Sequence, residues 1–579
     1  MEGWGKSCMP ESVTVDRRKA IGTLAGGAVA VTALVVIDRR DHHGKLWEGR
    51  DGDSRRADAG FANRDDSYAA AGGEIAAPAV EAETLLFATA GEAAAGTQVT
   101  VPTILRTDDP VLHLTRRATF GPTPDLVAEV HDLGIDGWLA QQLDPGAIPD
   151  PVADQGWAAF PLASADPAGV RAVVRRFDWA AMIEYGQAAL ARQVWSRRQL
   201  FEVMVDFWAN HLNVPTPGPG AWDVASSWHN DVIRANALGS FSDMLVAAMQ
   251  HPAMLRYLNA NASTREAVNE NLGRELLELH TVGVSAGYTE DDVRNSAYIL
   301  TGRTVSDEGR MMGMGQESEF VYDPNKHWTG PVKVLDFSHE NATADGGMEV
   351  GDAYLRYLAG HPSTAQSIAR KLAVRMVSDL PPQPLVDRLA QAYLDSGTSV
   401  GAMLDVLFRS AEFWAAVGQK TRRPLENVVA AARIVGLQPG DDVRYGVAGL
   451  TNAALAAGHR PLGWPAPNGY PDVEAAWRSA GGLLTLWNHH RAVVGGWYEG
   501  LSYAEPLDMV SGMPTGTVGE FVDSMCQRLL FQGFHPGQQA ALIGFLGGDA
   551  AASSERVGVR WKGFEVASLV LDSPYFMLR

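Results

Sequence analysis

The chain has 579 residues, a formal net charge of −20 and two cysteines. Its 68 acidic residues against 48 Lys and Arg exclude nucleic acid as the main partner, because phosphate binding needs clustered cations. With only Cys8 and Cys526, a Cys-based zinc motif and a disulfide framework are excluded too, so a metal would have to be held by His, Asp, Glu or Asn.

In chain order, Asp16-Arg17-Arg18-Lys19 opens a charge-free, mildly apolar run from Ala20 to Ile37. A paired arginine before such a run reads as a twin-arginine export signal, which implies an extracytoplasmic, secreted or cell-envelope protein. The alternative is a retained membrane tether through residues 20–37, just long enough to span a bilayer. Residues 1–40 are assigned to that signal or anchor. Residues 41–104 are rich in Ala, Gly and charge, and such composition buries too little apolar surface to offset ordering entropy, so a disordered linker is expected.

Residues 105–579 carry recurrent 3.6-residue periodicity. The expected fold is mainly α: a large irregular multi-helix domain, in one or two lobes, with at most a small β-hairpin. The first predicted helices are Pro124–Leu133 and Ile135–Leu143, broken at Gly134, then Pro167–Tyr185, Ala188–Leu212, Trp228–Ala235, Phe241–Gln250 and Ser263–Thr281. Glu290–Thr301, Gly351–His361, Ser363–Val377, Pro384–Ser396 and Val400–Arg409 follow, then Pro424–Val435, Asp472–Leu486 and Val518–Leu530. Thr289 is positioned to cap the helix at Asp292, and Pro424 suits a first helical position. Glu319–Tyr322 and Val332–Phe337 are expected to form the hairpin around the Asn325–Pro331 loop.

Two helical stretches carry the chemistry. On the first, Glu202, Asp206 and Asn210 recur every four residues and share a face, with His211 beside them. On the second, Asn271, Arg274, Glu275 and Glu278 form one polar stripe beside an apolar seam of Leu272, Leu276 and Leu279. Glu202, Asp206, Glu275 and Glu278 facing one another would resemble the carboxylate set of helical di-metal proteins and take a divalent metal ion. The Glu-x-x-His spacing of those proteins is absent. The alternative is a buried polar network in which Arg274 neutralises an acid, since buried charges must be paired or coordinated.

Other signals are weaker. His211, His251, His280 and His327 read first as packed histidines, and His489-His490 diverge on a helix. No Gly-x-Ser-x-Gly elbow, Walker loop or Gly-x-Gly-x-x-Gly after a strand is present, which disfavours an ordinary serine hydrolase and nucleotide cofactors. Arg460-Pro461-Leu462-Gly463-Trp464-Pro465-Ala466-Pro467-Asn468-Gly469-Tyr470-Pro471 is a rigid aromatic loop that suits either a ligand wall or a strap over the core.

Several motifs resemble the bacterial family called domain of unknown function 1800. They are His113-Leu114-Thr115-Arg116-Arg117-Ala118-Thr119-Phe120-Gly121, Phe207-Trp208-Ala209-Asn210-His211, His251-Pro252-Ala253-Met254-Leu255 and above all the 269–283 segment. Tyr288-Thr289-Glu290-Asp291-Asp292, His361-Pro362-Ser363-Thr364, Arg423-Pro424-Leu425-Glu426 and Asp572-Ser573-Pro574-Tyr575 extend the likeness. The resemblance implies a helical, often exported protein without a settled activity, whose genes often accompany a second exported, sulfatase-like family. The family commonly has His-Asp where this chain reads His327-Trp328, so a carboxylate role there is lost. Two functional classes stay open. One is an exported, metal-dependent enzyme using Glu202, Asp206, Glu275 and Glu278 as ligands, with Arg274 beside them and His211 or His327 as base. The other is a non-catalytic partner of a co-exported sulfatase-like protein or of cell-envelope material.

Overall fold

Six helix starts among the described residues follow one local rule. A capping side chain precedes a proline at Asp109-Pro110, Thr123-Pro124, Asp166-Pro167, His251-Pro252, His361-Pro362 and His535-Pro536. Proline lacks the N–H that a first turn cannot pair, and the capping group accepts from an amide two or three residues on. In the three His-Pro steps the imidazole Nδ1 accepts from the backbone N–H of Ala253, Ser363 and Gly537 at 3.1, 3.1 and 3.4 Å. His251 is thereby a helix cap.

The structure is a computed structural model and describes residues 106–306 and 318–579; the signal or anchor and the linker expected over 1–104 lie outside these. The described residues belong to one unit, Ile104–Arg579. Its main helices begin with α1 (Pro110–Ala118), α2 (Pro124–Leu143, kinked at Gly134 with φ 72°), α3 (Ala180–Trp195) and α4 (Gln199–His211). Then come α5 (Asn271–Glu275), which runs into a widened π turn over Leu276–His280, and α6 (Glu290–Leu300). Strands β1 (Arg303–Val305), β2 (Phe320–Tyr322), β3 (Val332–Val334) and β4 (Phe337–His339) precede α7 (Gly347–Ala359), α8 (Pro362–Met376) and α9 (Gln383–Asp395). The chain continues through α10 (Pro424–Val435), β5 (Gln438–Pro439), α11 (Val443–Ala456), α12 (Ala480–Val494), β6 (Leu501–Ser502), α13 (Val518–Leu530) and α14 (Val559–Leu571). Helix α8 packs on α9, α10 on α12, and α14 on both α12 and α13.

A contiguous buried core runs from Val111 to Phe576, so the described residues form one main lobe rather than two. Trp208 is fully buried within it and donates its indole N–H to Ala237 O at 3.0 Å. Burying a tryptophan of this kind is worth roughly 4–6 kcal/mol of transfer free energy before ordering entropy is subtracted. Among the described residues no helix is long and apolar enough to cross a membrane.

The mainly α reading holds, and the departures from the predicted elements have physical causes. The run predicted over Ala188–Leu212 breaks at Ser196, whose backbone is extended. Asp150 draws it out, accepting from Ser196 Oγ at 2.6 Å and from Arg197 N at 2.8 Å. The helix predicted from Asp472 begins only at Ala480, because Asp472 is drawn into an ion cluster. The helix predicted over Ser263–Thr281 starts at Asn271. Instead of one hairpin, β2 pairs with β1 (Thr304 opposite Val321) and β3 with β4 (Lys333 opposite Ser338). The tight turn of the second pair needs φ 53° at Leu335, which Asp292 supports by accepting from Leu335 N at 2.8 Å. Helices α1, α11 and α14 were not among the predicted elements.

Candidate functional site

The carboxylates expected to share a metal do not assemble. Glu202 accepts two hydrogen bonds from Arg234, at 2.8 and 2.7 Å, which satisfies both of its oxygens in a fork-to-fork pair. Asp206 accepts from Arg423 Nη2 at 2.6 Å. Arg274 pairs with Glu290 at 3.0 and 2.7 Å, not with a buried acid. Glu275 and Glu278 are half-buried; burial first, and then the charge of Glu278, raises the carboxyl pKa of Glu275. Among the described residues no three His, Cys, Asp or Glu side chains come together in a way that could hold a metal ion. The donor set Glu202, Asp206, Glu275 and Glu278 therefore does not fit one.

The buried residues of this stretch are Leu272, Gly273, Leu276, Leu277 and His280, a face centred away from the Leu272, Leu276 and Leu279 seam expected, so His280 is inward and Leu279 only half-buried. His327 is buried elsewhere, its Nδ1 2.8 Å from Thr301 O and its Nε2 2.9 Å from Asn341 Oδ1; it fastens the 327–341 loop and does not line the cavity described next.

Asp206 and His211 do belong to a site, with different companions. A cavity of about 280 Å³ opens between α4, α8 and the 460–472 loop. Helix α4 contributes Asp206, Phe207, Asn210 and His211, and α8 contributes Arg370, Lys371, Val374 and Arg375. Arg423, just ahead of Pro424, and Asn468, Tyr470 and Asp472 complete the wall. The 460–471 loop is thus a cavity wall, and α4 holds it. Asn210 donates to Tyr470 O at 2.9 Å and accepts from Tyr470 N at 2.6 Å, while Asn213 donates to Trp464 O and Ala466 O at 2.9 and 2.7 Å.

Beneath the cavity lies a buried ion cluster. Arg375 bridges Glu426, Asp206 and Asp472, the last two at 3.5 Å. Arg579 reaches Glu426 at 3.2 Å and Asp472 at 3.6 Å; Lys420 joins Asp379 at 2.6 Å to Asp472 at 3.2 Å. Burial alone would raise Glu426, but Arg375, Arg579 and Arg423 together hold its carboxyl well below the ordinary value. Burial opposes ionisation of Asp472 likewise, and Arg423, Arg375 and Lys420 bring it down to about 2. Both acids are ionised, and the cluster is internally neutralised. Removing one partner from such a set typically costs about 3–5 kcal/mol, because a charge is left buried alone. The cluster is accordingly a rigid floor.

Arg375 and Arg423 are buried and paired with the acids of the cluster, and each keeps one Nε–H that has no acceptor and almost no accessible surface. The Lys371 ammonium has no carboxylate within ion-pair distance among the described residues; it donates to Leu279 O at 2.9 Å and to His211 Nδ1 at 3.0 Å. His211 Nε2–H donates to His280 O at 3.1 Å, and His280 Nδ1–H returns the bond to His211 O at 3.1 Å. These contacts fix His211 as the neutral tautomer with its lone pair on Nδ1. Burial, with Lys371 and His280 adding, pushes His211 well below its ordinary pKa; burial lowers Lys371 to about 8.

The cavity brings Asp206, His211 and the 460–471 loop together with Lys371, Arg375 and Asp472, which the sequence reading did not single out as site residues. The available signal was Lys371 and Arg375 one turn apart on a helix whose apolar stripe is Ile368, Leu372 and Met376.

A family model described as protein of unknown function (DUF1800) matches residues 113–578. The chain belongs to that family. The comparisons with curated proteins and with solved structures gave no match.

Proposed function

We propose that this member of the family binds a small organic anion, carried on a carboxylate or phosphate group, in the cavity between α4, α8 and the 460–472 loop. One observation carries the reading: Arg370 and Lys371 both line the cavity, and among the described residues neither has a carboxylate within ion-pair distance, their partners being Gln383 for the first and His211 and Leu279 O for the second. Phe207 and Tyr470 supply apolar contact for the rest of the ligand, and the cavity volume suits a small molecule. In this reading the acidic groups between the helices serve as counter-charges to the arginines, in place of the metal ligation expected of Glu202, Asp206, Glu275 and Glu278.

Titration calorimetry at pH 7 with inorganic phosphate and a panel of short carboxylates tests this. Binding by at least one probe is expected, weakened tenfold or more in Lys371→Met and in Arg370→Gln. Absence of measurable binding by the whole panel overturns it.

Export through the Arg17-Arg18 segment belongs to the same proposal. Replacing both with lysine is expected to abolish transport of the protein out of the cytoplasm, and unchanged transport would refute it. A co-exported sulfatase-like partner also belongs to the proposal: Val173, Phe177, Trp179 and Ile183 are 72%, 58%, 48% and 44% exposed along one stretch of chain, apolar surface that any protein partner could cover.

A further inference from the structure

We infer that Lys371 is a reactive amine that captures the carbonyl carbon of a 2-oxo acid as an imine in this cavity. The inference rests on the anion-binding reading and names its substrate class. Lys371 Nζ is held by two fixed acceptors, His211 Nδ1 at 3.0 Å and Leu279 O at 2.9 Å, which leaves its third valence for the cavity its side chain lines. His211 cannot take the place of a counter-charge, because the bond from its Nε2–H to His280 O keeps it neutral. The charged groups that line the space with Lys371 are Arg370, Arg375, Arg423, Asp206 and Asp472, and both acids are already engaged by arginine. No carboxylate on the wall is therefore left to pair with the ammonium, and burial lowers Lys371 to about 8, so the free amine prevails from mildly alkaline pH upward.

Arg370 lines the same cavity and pairs with no acid among the described residues, so it offers a cation for a carboxylate beside the carbonyl. The chemistry balances without an oxidant or reductant. The Nζ lone pair bonds to the carbonyl carbon, the C–O π pair moves to oxygen, and the proton released by nitrogen ends on that oxygen. The resulting carbinolamine loses its hydroxyl as water while nitrogen gives up its second proton, leaving C=N. Amine plus 2-oxo acid gives imine plus water.

The test treats the full chain with pyruvate or glyoxylate and sodium cyanoborohydride, followed by peptide mass mapping. Reductive trapping is expected at Lys371 at least tenfold faster than at any other lysine, with a rate that rises up to about pH 8. Lys371→Arg is expected to keep the far-ultraviolet circular dichroism and lose the adduct. Inorganic phosphate is expected to slow trapping. Labelling spread evenly over surface lysines, or none at Lys371, overturns the inference. Lactate, which has the carboxylate but no carbonyl, separates the two levels: calorimetric lactate binding without trapping removes the imine and keeps the anion site, and neither signal removes both.

Discussion

Gly469 shows how closely the cavity wall depends on single residues. Its φ is +71°, and a Cβ there would overlap the carbonyl oxygen of Asn210, so both conformation and space require glycine. Gly469→Ala should destabilise the protein by about 2–4 kcal/mol, with the loop pushed off α4. Denaturant unfolding reads the stability, and anion affinity should fall in parallel; a neutral result would show that the loop yields freely. At this scale the sequence was partly legible. Asp206 and His211 stood out because their spacing on a helix is visible in any window of eight residues. Lys371 did not, because its meaning comes from contacts with His211 and Leu279 that are 160 and 92 residues away in the chain. Glu202 misled for the same reason: its spacing was right, but the partner that satisfies it, Arg234, could not be read from periodicity.

Elements were more legible than residues because their ends are chemically local. The α6 start was read correctly from Thr289 and Asp292. Thr289 Oγ1 accepts from Asp292 N at 3.2 Å, and Asp292 Oδ2 accepts from Thr289 N at 2.7 Å. Thr289→Ala should cost about 1 kcal/mol, measurable as a lowered denaturation midpoint without a change in m-value; no shift would mean that β3–β4, tied to the same Asp292, carries the helix end instead. Breaks imposed from a distance were illegible. Ser196 leaves the helix because Asp150 bonds it from 46 residues away. The π turn after α5 likewise follows no cue in a 3.6-residue pattern.

For the whole molecule, pH dependence is set by buried neutral pairs. Asp572 Oδ1 lies 2.8 Å from His490 Nδ1, and His490 Nε2–H donates to Asn427 Oδ1 at 2.7 Å. Burial raises Asp572 from 3.8 to about 8, and burial, with Arg422 adding, lowers His490 from 6.5 to about 3. The folded protein thus keeps the Asp572 proton up to about pH 8 while the unfolded chain loses it near pH 4, so this group's contribution falls as pH rises between them. His490 acts oppositely, adding stability as pH rises from about 3 to 6.5. Between pH 6.5 and 8 only the Asp572 effect remains. Asp572→Asn keeps a donor for His490 and removes that titration, so its stability relative to wild type should increase from pH 6.5 to 8 by thermal unfolding; a constant difference across that interval would show that the pair is ionised. The ion cluster has a further consequence during synthesis. Asp206 and Arg423, its binding partner, are 217 residues apart, and Arg579 closes the set from 204 residues beyond Arg375. Asp206 leaves the ribosome long before its guanidinium partners Arg375 and Arg423 exist. A nascent chain ending before residue 420 must keep the polar side of α4 in water, so the cavity between α4, α8 and the 460–472 loop is among the last parts of the protein to become dry.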